Sequence, residues 1–203
     1  MFYRSQKELI YTVFMKYHSV SWKQLHTLIH SLTEKIQKKN QKYDLIVGIA
    51  RGGLTMAHIA SDFLKLPVAS FTISSYKDFK KIELSEVSFH VGGDLKGKRI
   101  LLIDDVSDTG KTFIRGIKYL SDLGATSITT ASPFIRVNST YMPDFYVRKV
   151  VDEWIVFPYD MRETVEAFQT NLLKEGKSIE HISKQLSLIK IPKKYIIKYL
   201  KTS

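Results

Sequence analysis

The chain has 203 residues, 44% of them apolar, enough for one α/β domain with a real core and a small appendage. It contains no cysteine, which excludes disulfides and thiolate metal sites, and no charge-free apolar run approaches the ~18 residues of a membrane span. The net charge of +11, from 31 basic and 20 acidic residues, is compatible with nucleic acid, phosphate-rich small ligands or a lysine-rich solvated surface. The solvated surface is the default reading, so neither a nucleic-acid nor a membrane partner is expected. Met1 to Gln6 lacks the basic-then-apolar order of a signal peptide, and a cytoplasmic location is expected.

Residues 1 to 20 are aromatic-rich and alternate poorly, so no element is assigned there. Ser21-Trp22-Lys23-Gln24 has the form of a capping box. Leu25, Leu28, Ile29, Leu32 and Ile36 follow at helical spacing, with Trp22 expected in the core. Asp44 to Ala50 reads as a buried strand, Arg51-Gly52-Gly53 as a turn, Leu54 to Lys65 as a helix and Pro67 to Ser74 as a second strand. Residues 76 to 98, polar and punctuated by Gly92, Gly93 and Gly97, read as a long mobile loop with weak strand character. Arg99 to Asp104 is the third strand, Gly110 to Leu123 a helix stopped by Gly124, and Ala125 to Ala131 the fourth strand. Phe145 to Val151 and Trp154 to Phe157 are further strand candidates. The alternation predicts a parallel sheet with right-handed crossovers. After Asp160 the pattern turns helical. Val165, Phe168 and Leu172 share one face, and Gly176 stops the run. Ser178 caps a second helix carrying Ile179, Ile182, Leu186 and Ile189, and Pro192 opens a third with Tyr195, Ile196 and Tyr199 inward. This tail holds nine basic residues against four acidic ones. The domain reading is a core over 1–160 and a helical tail over 161–203.

Residues 100 to 112 carry the chemistry: a four-residue apolar strand, the adjacent carboxylates Asp104 and Asp105, then Asp108-Thr109-Gly110-Lys111-Thr112 opening a helix. Ligands of open α/β sheets bind beyond the carboxyl ends of the strands, and a helix N-terminus suits a phosphate. Acids beside a phosphate cradle point to a sugar phosphate, with a divalent metal. Gly110-Lys111-Thr112 is not a nucleotide-hydrolase loop. That motif needs a glycine five residues before its Gly-Lys pair, and Asp105 stands there. The six histidines show no metal-ligand spacing.

The whole element resembles the signature of type I phosphoribosyltransferases, enzymes that use 5-phosphoribosyl-1-pyrophosphate. Val47-Gly48-Ile49-Ala50-Arg51-Gly52-Gly53-Leu54 resembles the family's pyrophosphate loop. Ile73-Ser74-Ser75-Tyr76 resembles the entry to its catalytic flexible loop, and Trp154-Ile155-Val156-Phe157-Pro158-Tyr159-Asp160 the base-binding end of the purine branch. The four segments occur in order and cover about residues 21 to 160. The resemblance implies an α/β fold with a mostly parallel five-stranded sheet flanked by helices, and the tail adds a helical appendage of about three helices.

It also implies roles. Residues 108 to 112 would wrap the 5′-phosphate with backbone N–H groups and the Thr109 and Thr112 hydroxyls, with Lys111 beside them. Asp104 and Asp105 would accept from the ribose hydroxyls and favour the cationic carbon that forms as pyrophosphate leaves. Gly52 and Gly53 would admit the pyrophosphate, Arg51 would grip it, and Ala50–Arg51 is a candidate non-proline cis peptide. Ser75 and Tyr76 open the loop, over 76 to 93, that would close over the site. Asp108 would face the purine N7 as general acid or base, Trp154 would stack on the base, and the Ile155 backbone would bond its edge. Mg²⁺ would be held mainly by substrate oxygens, with Asp104 and Asp105 acting through water and Asp160 on the metal side.

The 6-oxopurine enzymes donate to O6 from a lysine after the fourth strand, but residues 119 to 148 contain none; Ser132 or Arg136 lies nearest that place. The helical tail resembles crenarchaeal adenine phosphoribosyltransferases. The leading expectation is therefore an adenine phosphoribosyltransferase of purine salvage, giving AMP and pyrophosphate and acting as a homodimer. The alternative is a hypoxanthine, guanine or xanthine phosphoribosyltransferase. A second alternative is a regulator that senses the sugar phosphate, with Ser178 to Ile189 and Pro192 to Leu200 as a helix-turn-helix.

Overall fold

A computed structural model describes residues 16–77 and 80–201 of the chain. Its apolar runs form β1 (Lys16–Ser19), β2 (Leu45–Ala50), β3 (Val68–Lys77), β4 (Lys80–Phe89), β5 (Arg99–Ile103), β6 (Val106–Ser107), β7 (Ser127–Arg136), β8 (Phe145–Val150) and β9 (Glu153–Val156). The helices are α1 (Trp22–Lys38), α2 (Gly52–Leu64), α3 (Lys111–Asp122), α4 (Met161–Lys174), α5 (Ile179–Leu188) and α6 (Lys193–Tyr199). No helix among the described residues is long and apolar enough to cross a membrane. The chain divides into two compact units, residues 26–151 and residues 1–25 with 152–203.

The larger unit holds a seven-stranded sheet. Its centre is five parallel strands in the order β3-β2-β5-β7-β8, the sheet that the resemblance implies. Strand β4 adds an antiparallel edge against β3, in the segment expected to be loop. The reason is visible in hindsight: Ile82 and Leu84, then Val87 and Phe89, alternate with polar residues but change phase once. The pairing is irregular at Thr72/Ile73 and Ser74/Tyr76, as such a phase change demands. Residues 78 and 79 of that expected loop lie outside the described residues.

The strands β2 and β5 are buried on both faces and read as continuous apolar runs, while β7 is equally buried but carries Thr129, Thr130 and Ser132 inside. Val47, Ile49, Phe71, Leu102, Phe113 and Leu120 pack as one core cluster between the sheet and α3. At the amino end of the sheet, Arg99 clamps Asp44 through Nε at 2.9 Å and Nη2 at 2.6 Å, which sets β2 and β5 in register. The same hydrogen bonds hold the Asp44 carboxyl well below the usual carboxylate range.

In the smaller unit, β1 and β9 pair in parallel, aligning Tyr17 with Trp154. Val156, Val165, Phe168, Leu172, Ile182, Leu186, Ile191 and Ile196 make a second core, with α4, α5 and α6 around it. The capping box forms as expected: Gln24 N–H donates to Ser21 Oγ at 3.2 Å, and Ser21 N–H to Gln24 Oε1 at 2.8 Å. Trp22 departs from expectation. It is 56% exposed, because it is the first residue of α1 and lies a turn outside the stripe of Leu25, Ile29, Leu32 and Ile36. Its ring lies 6.3 Å from that of Tyr159.

Candidate active site

Strand β5 runs out at Ile103, opposite Ala131, and β6 resumes at Val106, opposite Phe134. Both lie on the edge of β7 that faces away from β8, in one unbroken register, so Asp104 and Asp105 occupy a gap in a single line of pairing. The interruption turns two adjacent carboxylates out of the ladder at the carboxyl end of the sheet, where open α/β folds bind ligands.

The glycines of the next strand pack directly against this gap. Gly52 and Gly53 are the first residues of α2, just after β2. A Cβ on Gly52 would overlap the Asp105 carboxylate, and one on Gly53 would overlap the Ile103 carbonyl oxygen. The Ala50–Arg51 peptide that leads into this turn is cis, as the resemblance implies. Arg51 itself is exposed at the mouth of the turn.

Asp104 is buried, and its carboxylate accepts from the Asp105 N–H at 3.0 Å and from the Gly53 backbone. Loss of hydration raises its pKa well above the usual value, and the neighbouring Asp105 charge adds to the rise. The native state thus holds this proton more tightly than the unfolded chain does. The group's contribution to stability is complete below about pH 4 and is lost as the pH rises through the folded value. Asp104→Asn is therefore expected to raise the Tm at pH 7 by a few degrees, on the order of 1 kcal/mol, with the gain shrinking toward pH 4. Thermal melts of both proteins from pH 4 to 8 check this; an unchanged or lower Tm at pH 7 refutes it.

The turn from β6 into α3 brings Asp108, Thr109, Gly110, Lys111 and Thr112 together. Gly110, at φ 83°, supplies the left-handed residue before the helix and brings no capping side chain; the Lys111 N–H reaches only Thr109 Oγ1, at 3.5 Å, in a turn of the kind that suits an anion. A segment absent from the sequence reading braces this turn. Thr140 donates to the Thr109 carbonyl from both N–H (3.2 Å) and Oγ1 (2.6 Å). Ser107 Oγ donates to the Tyr141 carbonyl at 2.8 Å, and the Tyr141 ring stacks on Phe113 at 5.6 Å. Nothing in Ser139-Thr140-Tyr141 as a string announces this role; only the strand order brings it alongside.

Of the two candidate base readers, the structure separates one from the other. Ser132 is fully buried, and its hydroxyl donates to the Phe134 carbonyl at 2.7 Å. Arg136, the last residue of β7, pairs through Nε with Asp108 Oδ1, and the Asp108 side chain is 56% exposed. Ser75 and Tyr76 lie on β3, but the roles expected of their side chains fall outside what is described. In the other unit, Trp154 is half-buried against the helical core, Ile155 is buried beside it on β9, and Asp160 precedes α4. No cluster of three His, Asp or Glu side chains among the described residues is arranged to hold a metal. Of the two carboxylates at the gap, Asp104 is buried and Asp105 half-buried, so Asp105 would be the one to meet the waters of a divalent ion held by substrate oxygens.

The chain matches the phosphoribosyl transferase domain family over residues 21–164. It is 31% identical over 145 residues to the xanthine-guanine phosphoribosyltransferase of Idiomarina loihiensis, covering 70% of this chain and 86% of that protein. Among solved structures, the purine phosphoribosyltransferase of Pyrococcus horikoshii Ot3 superposes with a TM-score of 0.63 at 36% identity, over 71% of this chain and 95% of that one. The Helicobacter pylori xanthine-guanine-hypoxanthine phosphoribosyltransferase shares the fold, with a TM-score of 0.60 at 21% identity over 73% and 96% of the two chains. The acidic gap in β5–β6, the glycine turn packed on it and the phosphate cradle of α3 thus lie in a domain whose ancestry is clear: the chain belongs to the phosphoribosyltransferase family, as a type I member of its purine branch.

Proposed function

We propose that the protein transfers the 5-phosphoribosyl group of 5-phosphoribosyl-1-pyrophosphate to a 6-oxopurine (hypoxanthine, guanine or xanthine), releasing pyrophosphate. The observation that carries the choice of base is the Arg136–Asp108 pair. N7 and O6 lie side by side on one edge of a 6-oxopurine. A guanidinium only donates, so Arg136 suits the O6 acceptor and opposes the 6-amino group of adenine, while Asp108 beside it suits N7–H. The name of the Idiomarina loihiensis relative, a xanthine-guanine phosphoribosyltransferase, points the same way, which favours the alternative over the adenine reading.

In this reading Asp104 and Asp105 hold the ribose, residues 108 to 112 the 5′-phosphate, and Arg51 with Gly52 and Gly53 the pyrophosphate. The two carboxylates favour the developing positive charge at the anomeric carbon. Mg²⁺, when bound, supplies charge for the departing pyrophosphate. Trp154 and the Ile155 backbone serve as the base platform, and Asp160 lies on the metal side. A homodimer belongs to the same proposal. The test is a panel of initial rates with hypoxanthine, guanine, xanthine and adenine under saturating sugar phosphate and Mg²⁺. At least one 6-oxopurine is expected to exceed adenine about 100-fold in kcat/KM. Adenine turned over as well as the best of the others would overturn the reading.

A further inference from the structure

The three C-terminal helices carry none of the residues assigned to the chemistry above, and most of their residues lie beyond the family match, which ends at residue 164. Their apolar side chains are spent on one another: Phe168 and Leu172 of α4, Ile182 and Leu186 of α5, Ile191 of the turn and Ile196 of α6 are buried together. Ser178 caps α5 by accepting from the His181 N–H at 3.2 Å. Residues 189–192 join α5 to α6, with Lys190 left-handed at φ 63° and the Ile191 N–H donating back to the Leu186 carbonyl at 3.0 Å. Two helices joined by a four-residue turn and sharing a core with a third have the connectivity of a helix-turn-helix.

The surface of α5 and α6, over residues 177–201, is strongly one-signed, while α4 carries charges of both signs. Lys177, Lys184, Lys190, Lys193, Lys194, Lys198 and Lys201 are all exposed, and the same stretch holds a single carboxylate, Glu180. None of these lysines pairs with a carboxylate among the described residues. Lys194 and Lys198 instead lie over the Tyr195 and Tyr199 rings, at 5.0 and 5.3 Å from their centroids, which holds the ammonium groups on the α6 side. A seven-residue helix with one buried side chain and three outward lysines contributes little to the core and much to a positive face. A membrane-surface helix would leave its apolar face outward. Here that face is consumed internally, and only the isolated Leu188 and Ile197 remain exposed on α5 and α6.

We propose that α5 and α6 form a DNA-binding surface that engages the phosphate backbone of duplex DNA through Lys190, Lys193, Lys194 and Lys198, in addition to the transferase activity. This departs from the expectation drawn from overall charge alone, because the excess is concentrated on a recognisable two-helix unit.

The test uses the full chain and a fluorescein-labelled 30-base-pair duplex of mixed sequence, read by anisotropy. With about four phosphate contacts, the affinity should fall about 100-fold between 50 and 200 mM KCl. The triple variant Lys193→Glu/Lys194→Glu/Lys198→Glu should lose at least 10-fold in affinity while phosphoribosyl transfer is unchanged. The equal charge change Lys38→Glu/Lys39→Glu/Lys42→Glu, on the other unit, should leave most of the affinity. If the charge reversal disturbs the tail, seen by circular dichroism, the Lys→Gln triple takes its place, with a smaller loss in the same direction. The proposal is overturned by no binding at 50 mM KCl, by equal losses in the two triple variants, or by preference for phosphatidylserine vesicles over the duplex.

Discussion

Asp108→Asn is expected to lower kcat by about 10²–10⁴-fold while the KM for 5-phosphoribosyl-1-pyrophosphate stays within about twofold. Asparagine keeps the shape and a hydrogen-bonding oxygen but can no longer take up a proton from purine N7. The Asp108 side chain is turned to Arg136, and the cradle of residues 108 to 112 offers backbone N–H groups that the change leaves in place, so the 5′-phosphate should still bind. The companion change is Arg136→Ala, which removes the donor proposed for O6. It should raise the KM for the 6-oxopurine about 10–100-fold, the worth of one charge-assisted hydrogen bond. Arg136→Lys should recover much of this. Because the two side chains form an ion pair, the double variant should cost less than the product of the single effects. Steady-state kinetics in both substrates, with all four proteins, decides the matter. A KM effect on the sugar phosphate with none on the base would show that the pair serves the phosphate loop and not the purine.

Gly53→Ala is expected to cost about 3 kcal/mol, a fall in Tm of about 6–12 °C. The added methyl would overlap the carbonyl oxygen of Ile103 and press within 3.2 Å of Asp104 Cα, and neither atom can retreat without opening the β2–β5 pairing. Gly52→Ala tests the same region by a different mechanism. There the obstacle is the side chain of Asp105, which can swing aside. That variant should keep most of its stability and lose its affinity for the sugar phosphate, because the carboxylate is driven from its place beside the pyrophosphate loop. Thermal melts with and without the sugar phosphate separate the two. Equal loss of stability in both variants would mean that Asp105 is as fixed as the backbone.

Much of this molecule is legible without coordinates, for a physical reason. Buried parallel strands must be apolar on both faces, so Leu45–Ala50 and Arg99–Ile103 announce themselves as runs bounded by polar residues. Backbone-built phosphate sites need glycine and small hydroxyl residues at fixed places, so the turn at 108–112 and the turn at 51–53 are visible too. Caps obey local rules, and Ser21 and Ser178 cap as read. What fails locally is whatever depends on a neighbour distant in sequence. The strand β4 is concealed by a phase change that only pairing with β3 explains. Trp22 is apolar at helical spacing and still exposed, since burial depends on where the core ends. The bracing of Thr109 by Thr140, 31 residues away, and the pairing of Asp108 with Arg136 arise because the fold sets the ends of β6 and β7 side by side. The sequence by itself therefore determined the strand–helix alternation, the glycine and small-residue turns at 51–53 and 108–112, and the family, all of which rest on short-range patterns. Only the tertiary structure decided that the Ser132 hydroxyl turns to the Phe134 carbonyl while Arg136 pairs with Asp108, because those contacts depend on the course of the chain beyond each residue.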